Sequence, residues 1–276
     1  MKSHRILGGG GVQLHVVENG NPRGRPILFL HGASQCSLQW SRQMESSLAR
    51  TYRLLALDLR GHGLSGKPSD GYEDSRQWAG DLDAVIRTLE LEQPVLCGWS
   101  YGPLVFLDYI RHHGEKQLGG LHFVGAVTKL GSEEATSVLS PEFLAVAGQF
   151  LSPDTATCAR GLQGLLQLCF AREPSAADLQ KMLDYNVSVP TYVRQGLFSR
   201  AVDNDDVLTT LRKPVLVTHG ALDAIVRPAV VEQHRAVMRH AQVDVVPGAG
   251  HAVFWDEAPA FNERLHAFCD SLTNGS

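Results

Sequence analysis

The 276-residue chain is 43% hydrophobic and 20% charged, the make-up of an ordinary globular protein and enough for one α/β domain carrying an insertion. Its net charge of -4 gives no electrostatic case for nucleic acid or for an anionic membrane. No apolar stretch approaches the roughly 18 residues that span a bilayer, and the five scattered cysteines, without metal spacing, read as reduced thiols.

Residues 1–8 are basic and lack the apolar core of a secretory signal, so a cytoplasmic setting is expected. Residues 12–18 alternate in part and end at Asn19-Gly20-Asn21-Pro22, which predicts a strand and a turn. Residues 26–30 are a short continuous apolar run ending at His31-Gly32, as expected of a strand buried on both faces of a parallel sheet. A helix is expected over 40–49, a second buried strand over 52–57, and a loop from Asp58 to Ser65. Residues 75–91 put Trp78, Leu82, Val85, Ile86 and Leu89 on one helical face, with Asp74 or Ser75 as the cap. The apolar run Pro94-Val95-Leu96 leads into Cys97-Gly98-Trp99-Ser100-Tyr101-Gly102. A helix-like stretch over 104–112 follows, with Pro103 where a first helical turn tolerates it. Residues 120–127 predict another apolar strand.

Strands and helices alternating in this way imply right-handed βαβ units and a mostly parallel sheet covered on both faces. The rhythm breaks over 129–212, where helices are expected at 141–151, 155–170, 178–185 and 191–198. The chain therefore divides into a first part of an α/β core over 1–128, a helical insertion over 129–212 lying above the sheet's C-terminal edge, and the second part of the core over 213–276. That second part predicts a strand over 214–219, a helix over 228–238 and a strand over 242–246. In the closing helix Phe261, Leu265, Phe268 and Leu272 share a face, with Asp256 as the cap and Pro259 in the first turn.

The pattern Gly-x-Ser-x-Gly between a strand and a helix describes a sharp turn that presents Ser100 at the sheet's edge, with glycines where side chains would collide. A serine hydroxyl is a poor nucleophile near neutral pH and needs a base. Of the 12 histidines, His31, His62, His219 and His251 all leave strands. His251 is favoured because it follows the last strand in the glycine-rich loop Pro247-Gly248-Ala249-Gly250, which lets the ring swing back over the site. The base needs a carboxylate to fix its tautomer. Asp223, beyond the strand at 214–219, is the candidate, although a turn or cap aspartate before the next helix would look the same. The exit near Val127 offers only Thr128, Lys129 and Leu130. The backbone N–H of Tyr101 and that of Ala33, beyond Gly32, are the expected donors to an oxyanion. Cys97 has no His or cation adjacent in sequence to activate it and is expected to be a packed thiol.

Five segments together, His31-Gly32-Ala33, Asp58-x-Arg60-Gly61-His62-Gly63-x-Ser65, Gly98-Trp99-Ser100-Tyr101-Gly102, Gly220-x-x-Asp223 and Gly250-His251, resemble the α/β-hydrolase superfamily along nearly the whole chain. The resemblance is strongest to the branch of serine esterases, lactonases and cofactor-free haloperoxidases or perhydrolases. It implies the α/β-hydrolase fold with the 129–212 insertion as a cap shaping the pocket, and the triad Ser100, Asp223 and His251. By the same analogy the turn from Asp58 to Ser65 is structural, which leaves His62 outside the triad. Pro103 departs from the small residue usual there. Haloalkane dehalogenases and epoxide hydrolases of this fold carry an aspartate at the elbow, where this chain has Ser100. Ser34, Trp99 and Val253 are expected to line the pocket. The expected activity is hydrolysis of a small, largely apolar carboxylic ester or lactone, with no cofactor and no metal; the partner is that small molecule, and homo-oligomerisation is left open. Two alternatives stand beside it. One is the same triad used for C–C bond hydrolysis, amide hydrolysis, acyl transfer or perhydrolysis, and the other is a ligand-sensing module with little turnover.

Overall fold

A computed structural model describes residues 1–272 of the chain. The strands are β1 (Lys2–Leu7), β2 (Gln13–Gly20), β3 (Pro26–Leu30), β4 (Arg53–Asp58), β5 (Val95–Trp99), β6 (Gly120–Val124), β7 (Lys129–Leu130), β8 (Val202–Asp203), β9 (Val215–Gly220) and β10 (Gln242–Val246). Eight of them form one sheet in the order β1-β2-β4-β3-β5-β6-β9-β10, while β7 and β8 form a separate pair. The pairs β1–β2 and β2–β4 are antiparallel, and every later pair in the large sheet is parallel. Every residue of β3 and β5 is buried, because helices cover both faces of the sheet. From β3 the chain first moves to β4 on one side and then returns to β5 on the other. The strand order thus reverses between β3 and β5, the place where an open α/β sheet leaves a crevice at its C-terminal edge.

Helix ends follow local chemistry. The carboxylate of Asp74 accepts the backbone N–H of Arg76 at 2.9 Å and starts the helix Ser75–Thr88, whose Trp78, Leu82, Val85 and Ile86 are buried. The helix Gly102–His113 takes Pro103 in its first turn and ends at Gly114, whose φ of 76° suits glycine. A Cβ on Gly102 would lie 2.5 Å from the Leu30 carbonyl oxygen, so this helix packs on β3 more closely than any side chain would permit.

Several expectations are corrected. The helix expected over 40–49 is broken into a short 3₁₀ turn (Ser37–Trp40) and two single turns, Ser41–Met44 and Leu48–Thr51. Ser46 Oγ donates to the Gln43 carbonyl and accepts the Leu48 N–H, offering the backbone an alternative to helix. Strand β1 escapes pattern reading because it is an edge strand with only Ile6 buried. Asp256 does not cap the closing helix Ala258–Ser271. Its Oδ2 accepts the N–H groups of Gly250 and Ala171 instead, tying the loop before His251 to the end of the helix Thr155–Cys169.

Residues 129–212 leave the sheet after β6 and rejoin it at β9 through helices Glu133–Ser137, Pro141–Phe150, Thr155–Cys169, Ala176–Val187, Thr191–Phe198 and Asp205–Thr210. The two ends of this segment are clasped by β7 and β8, with Lys129 Nζ 2.7 Å from Asp205 and 2.8 Å from Glu134.

Asp58, at the end of β4, holds the turn beneath the crevice. Its carboxylate accepts from His15 Nδ1, Leu64 N and Ser37 N at 2.7–2.9 Å. Burial alone would raise its pKa, but these donors and the nearby His31 lower it from 3.8 to about 2. The group is depressed on folding, so its contribution is fully present above about pH 4 and is lost as pH falls toward 2. Urea unfolding of wild type and Asp58→Asn across pH 2–7 is expected to show a wild-type advantage of about 2–3 kcal/mol that vanishes at the acid end.

Candidate active site

Ser100 sits at the junction of β5 and the helix Gly102–His113, with φ of 57°, a left-handed conformation rare for a residue with a side chain. The surrounding backbone enforces it: the Ser100 N–H donates to Val124 O at 2.9 Å, and the Ser100 carbonyl accepts the Val127 N–H at 3.1 Å. The side chain opens into a cavity with about 560 Å³ of empty space, mouth included.

Ala33, Tyr101 and His251 line the same cavity, along with Gly32, Trp99 and Gln35. A Cβ on Gly32 would come within 3.1 Å of the Ser100 Cβ, so glycine lets the loop after β3 lie directly against the serine. That loop is held from below. Ser34, with φ of 63°, donates its N–H to His62 Nε2 at 3.2 Å, and the His62 Nδ1–H donates to Arg60 O. Burial, then the neighbouring His31, lowers His62 to a pKa of about 3, so its ring is a neutral acceptor near pH 7. His31 works in the same way, donating to Gly32 O and accepting the Leu59 N–H, with burial holding it at about 4.

His251 Nδ1 is 2.8 Å from Asp223 Oδ2. A carboxylate there requires the proton on Nδ1, which leaves Nε2 bare as an acceptor. The other Asp223 oxygen, Oδ1, accepts the N–H groups of Ile225 and Val226 at 2.8 and 2.9 Å. Burial opposes ionisation of Asp223, but the charge of His251 and hydrogen bonds from His219 and His251 outweigh it, holding the carboxyl far below its usual range. The His251 loop is fixed on three sides. Trp99 Nε1 donates to the His251 carbonyl at 3.0 Å, Ala252 N donates to Cys169 O at 2.8 Å, and Asp256 holds the Gly250 N–H.

The predicted residues Ser100, His251, Ala33, Tyr101 and Trp99 therefore meet at one cavity, with Asp223 buried behind His251. Ser34 and Val253 do not line it. Ser34 is wholly buried with a left-handed backbone, and Val253, also wholly buried, belongs to the hydrophobic core. The wall is instead built by Phe143, Phe150, Phe198 and Leu165 from the insertion. In sequence, Phe143 and Phe150 lie seven residues apart on the predicted helix, but periodicity cannot tell a pocket wall from a core face. Cys97 has a histidine neighbour in space, not in sequence, with His122 Nδ1 at 3.5 Å across the β5–β6 pairing. Burial holds His122 at about 3 and pushes the Cys97 thiol well up, so the pair is packing and not an activated thiol.

A buried ion pair also escaped sequence reading. Arg200, just beyond the helix Thr191–Phe198, points Nη2 at both oxygens of Asp108, at 2.8 and 2.7 Å, and donates from Nη1 to the Tyr101 hydroxyl at 3.1 Å. It ties the insertion to the helix behind Ser100, since either charge left alone in this burial would cost several kcal/mol. Among the described residues, no group of three His, Cys, Asp or Glu is arranged for a metal ion, and no helix is long and apolar enough to cross a membrane.

The family model described as the alpha/beta hydrolase family matches residues 27–264. An esterase from Rhodococcus sp. ECU1013 has a similar structure, with a TM-score of 0.93 and 33% identity, covering 99% of this chain and 100% of that one. A non-heme haloperoxidase from Rhodococcus erythropolis is 29% identical over 265 residues, 90% of this chain and 93% of its own. An AB hydrolase superfamily protein of Bacillus subtilis (strain 168) is 26% identical over 262 residues, 94% of this chain and 96% of its own.

Proposed function

The chain belongs to the alpha/beta hydrolase family, and from that premise we propose that it is a serine hydrolase of small, neutral, largely apolar carboxylic esters or lactones. The observation that carries this reading is the strained Ser100 opening into one apolar cavity with a histidine whose far nitrogen is held by a buried carboxylate. Ser100 Oγ attacks the ester carbon while His251 Nε2 takes its proton. The N–H groups of Ala33 and Tyr101 hold the oxyanion, and the alcohol leaves with the proton from His251. Water then repeats the cycle on the acyl-enzyme. The likeness to an esterase supports the ester as substrate.

Among the described residues no Arg, Lys, Asp or Glu side chain lines the cavity, so an acyl group with its own carboxylate would be desolvated without a basic side chain to pair with other than the base itself. A fluorophosphonate probe is expected to label Ser100. A neutral aryl ester is expected to exceed its carboxylate-bearing analogue by at least about 10² in kcat/KM. Folded protein that neither reacts with the probe nor turns over esters would favour a ligand-sensing role instead.

The likeness to a non-heme haloperoxidase favours a second reaction of the same acyl-enzyme, with hydrogen peroxide in the place of water. The peroxide oxygen bonds the acyl carbon, Ser100 Oγ leaves with the proton, and a peracid is released. Trapping of peracid during ester turnover in peroxide tests it, and carboxylic acid as the sole product would remove it.

A further inference from the structure

His251 is not the only imidazole on Asp223. His219, at the end of β9 and wholly buried, places Nε2 at 3.2 Å from Asp223 Oδ2 and at 2.9 Å from the Val226 carbonyl. Both neighbours only accept hydrogen bonds, so Nε2 must carry the proton. Nδ1 of the same ring has no partner among the described residues. The one proton on His219 Nε2 thus lies between two acceptors, bonded to the Val226 carbonyl with Asp223 Oδ2 as the longer second neighbour, while Oδ2 also receives the His251 N–H and Oδ1 two backbone N–H groups.

We propose that His219 is a positioning residue for the acid of the triad: its Nε2–H fixes the carboxylate plane that His251 uses and draws off part of the charge that would otherwise act on His251. The inference rests on the hydrolase reading above. A hydrogen bond to the ionised form stabilises that form. Without His219, the carboxylate keeps its charge but spends more of it on the His251 Nδ1–H, stabilising the imidazolium. The base then stays protonated to higher pH, and the acid limb of the pH–rate profile moves up.

The other groups facing this pair do not supply the missing hydrogen bond. Cys169, on the helix Thr155–Cys169, has its thiol pushed up by burial and by the charges of Asp223 and Asp256. His234, on the helix Val230–Val237 behind His219, is held at about 3 by burial and then by His219, so it is neutral. Asp256 is committed to the backbone of Gly250 and Ala171.

The test is the pH dependence of kcat/KM on a neutral aryl ester for His219→Phe and His219→Gln. Phe keeps the ring volume without a donor, and Gln puts an amide N–H near the place of Nε2. The Phe variant is expected to move the acid limb up by about half a unit to one unit, and Gln to restore most of that shift. A Phe variant that is slower or less stable but has an unmoved limb would overturn the proposal, because a merely structural role acts equally at every pH. Nitrogen-15 NMR of the imidazoles in the wild-type protein gives a reading that needs neither folding of a variant nor activity. Expected is His219 protonated at Nε2 with Nδ1 bare, and a proton on Nδ1 would overturn the assignment. Loss of the hydrolase reading would show instead as full turnover in Ser100→Ala, with the tautomer of His219 unaffected.

Discussion

Ser100→Ala is expected to lower kcat by a factor on the order of 10⁶ and kcat/KM by the same factor, with KM nearly unchanged. The reason lies in the make-up of the cavity. Its wall is mostly aromatic and aliphatic, so binding of the substrate body does not depend on the serine oxygen. No other group in reach can replace that oxygen. Cys169 lines the cavity, but burial and nearby Asp223 raise its thiol pKa, keeping it protonated. The Tyr101 hydroxyl is committed to Arg200, and Ser34 is buried outside the cavity. Alanine keeps a Cβ, so the left-handed backbone at this position is as strained as before, and stability is expected to stay within about 0.5 kcal/mol. Steady-state kinetics on an aryl ester, with urea unfolding as the control, checks both statements. More than a few per cent of wild-type turnover in the folded variant would take Ser100 out of the mechanism.

How much of this was legible in the sequence depends on how local each signal was. Strand β3 and the helix Thr191–Phe198 were bounded correctly because an unbroken apolar run and a short helical segment after Pro190 are written in neighbouring residues. The positions of Ser100, Asp223 and His251 could be read because each follows a strand, and parallel strands bring their ends to one edge. The pocket wall could not. Phe143, Phe150 and Phe198 acquire their role from how irregular helices settle on the sheet, and nothing in their spacing separates that face from a buried one. The Arg200–Asp108 pair joins residues 92 apart, which no window of sequence contains. Asp256 was read as a cap from its place before Pro259, yet the N–H groups it holds belong to Gly250 and Ala171, one of them 85 residues away. The same limit applies to Ser34, expected in the pocket but found buried outside it, with a φ of 63° and its backbone N–H bonded to His62.

Asp223→Asn is expected to lower kcat by about 10⁴ while leaving the fold intact, and the hydrogen bonds at the carboxylate say why. Oδ1 accepts two backbone N–H groups, from Ile225 and Val226, so an asparagine must place its carbonyl oxygen there. The amide NH₂ then occupies the position of Oδ2, facing His251 Nδ1 at what was a 2.8 Å contact. A donor in that place forces Nδ1 to become the acceptor and moves the imidazole proton to Nε2, where it blocks removal of the Ser100 proton. The substituted amide also faces the N–H of His219, which keeps its bond to Val226 O and loses its acceptor at residue 223. Substrate binding, set by the apolar wall, is expected to change little. Kinetics paired with imidazole nitrogen-15 NMR checks the argument: the rate loss should come with the His251 proton on Nε2. A variant that keeps more than about a tenth of kcat with the proton still on Nδ1 would show that Asp223 does not set the tautomer of the base.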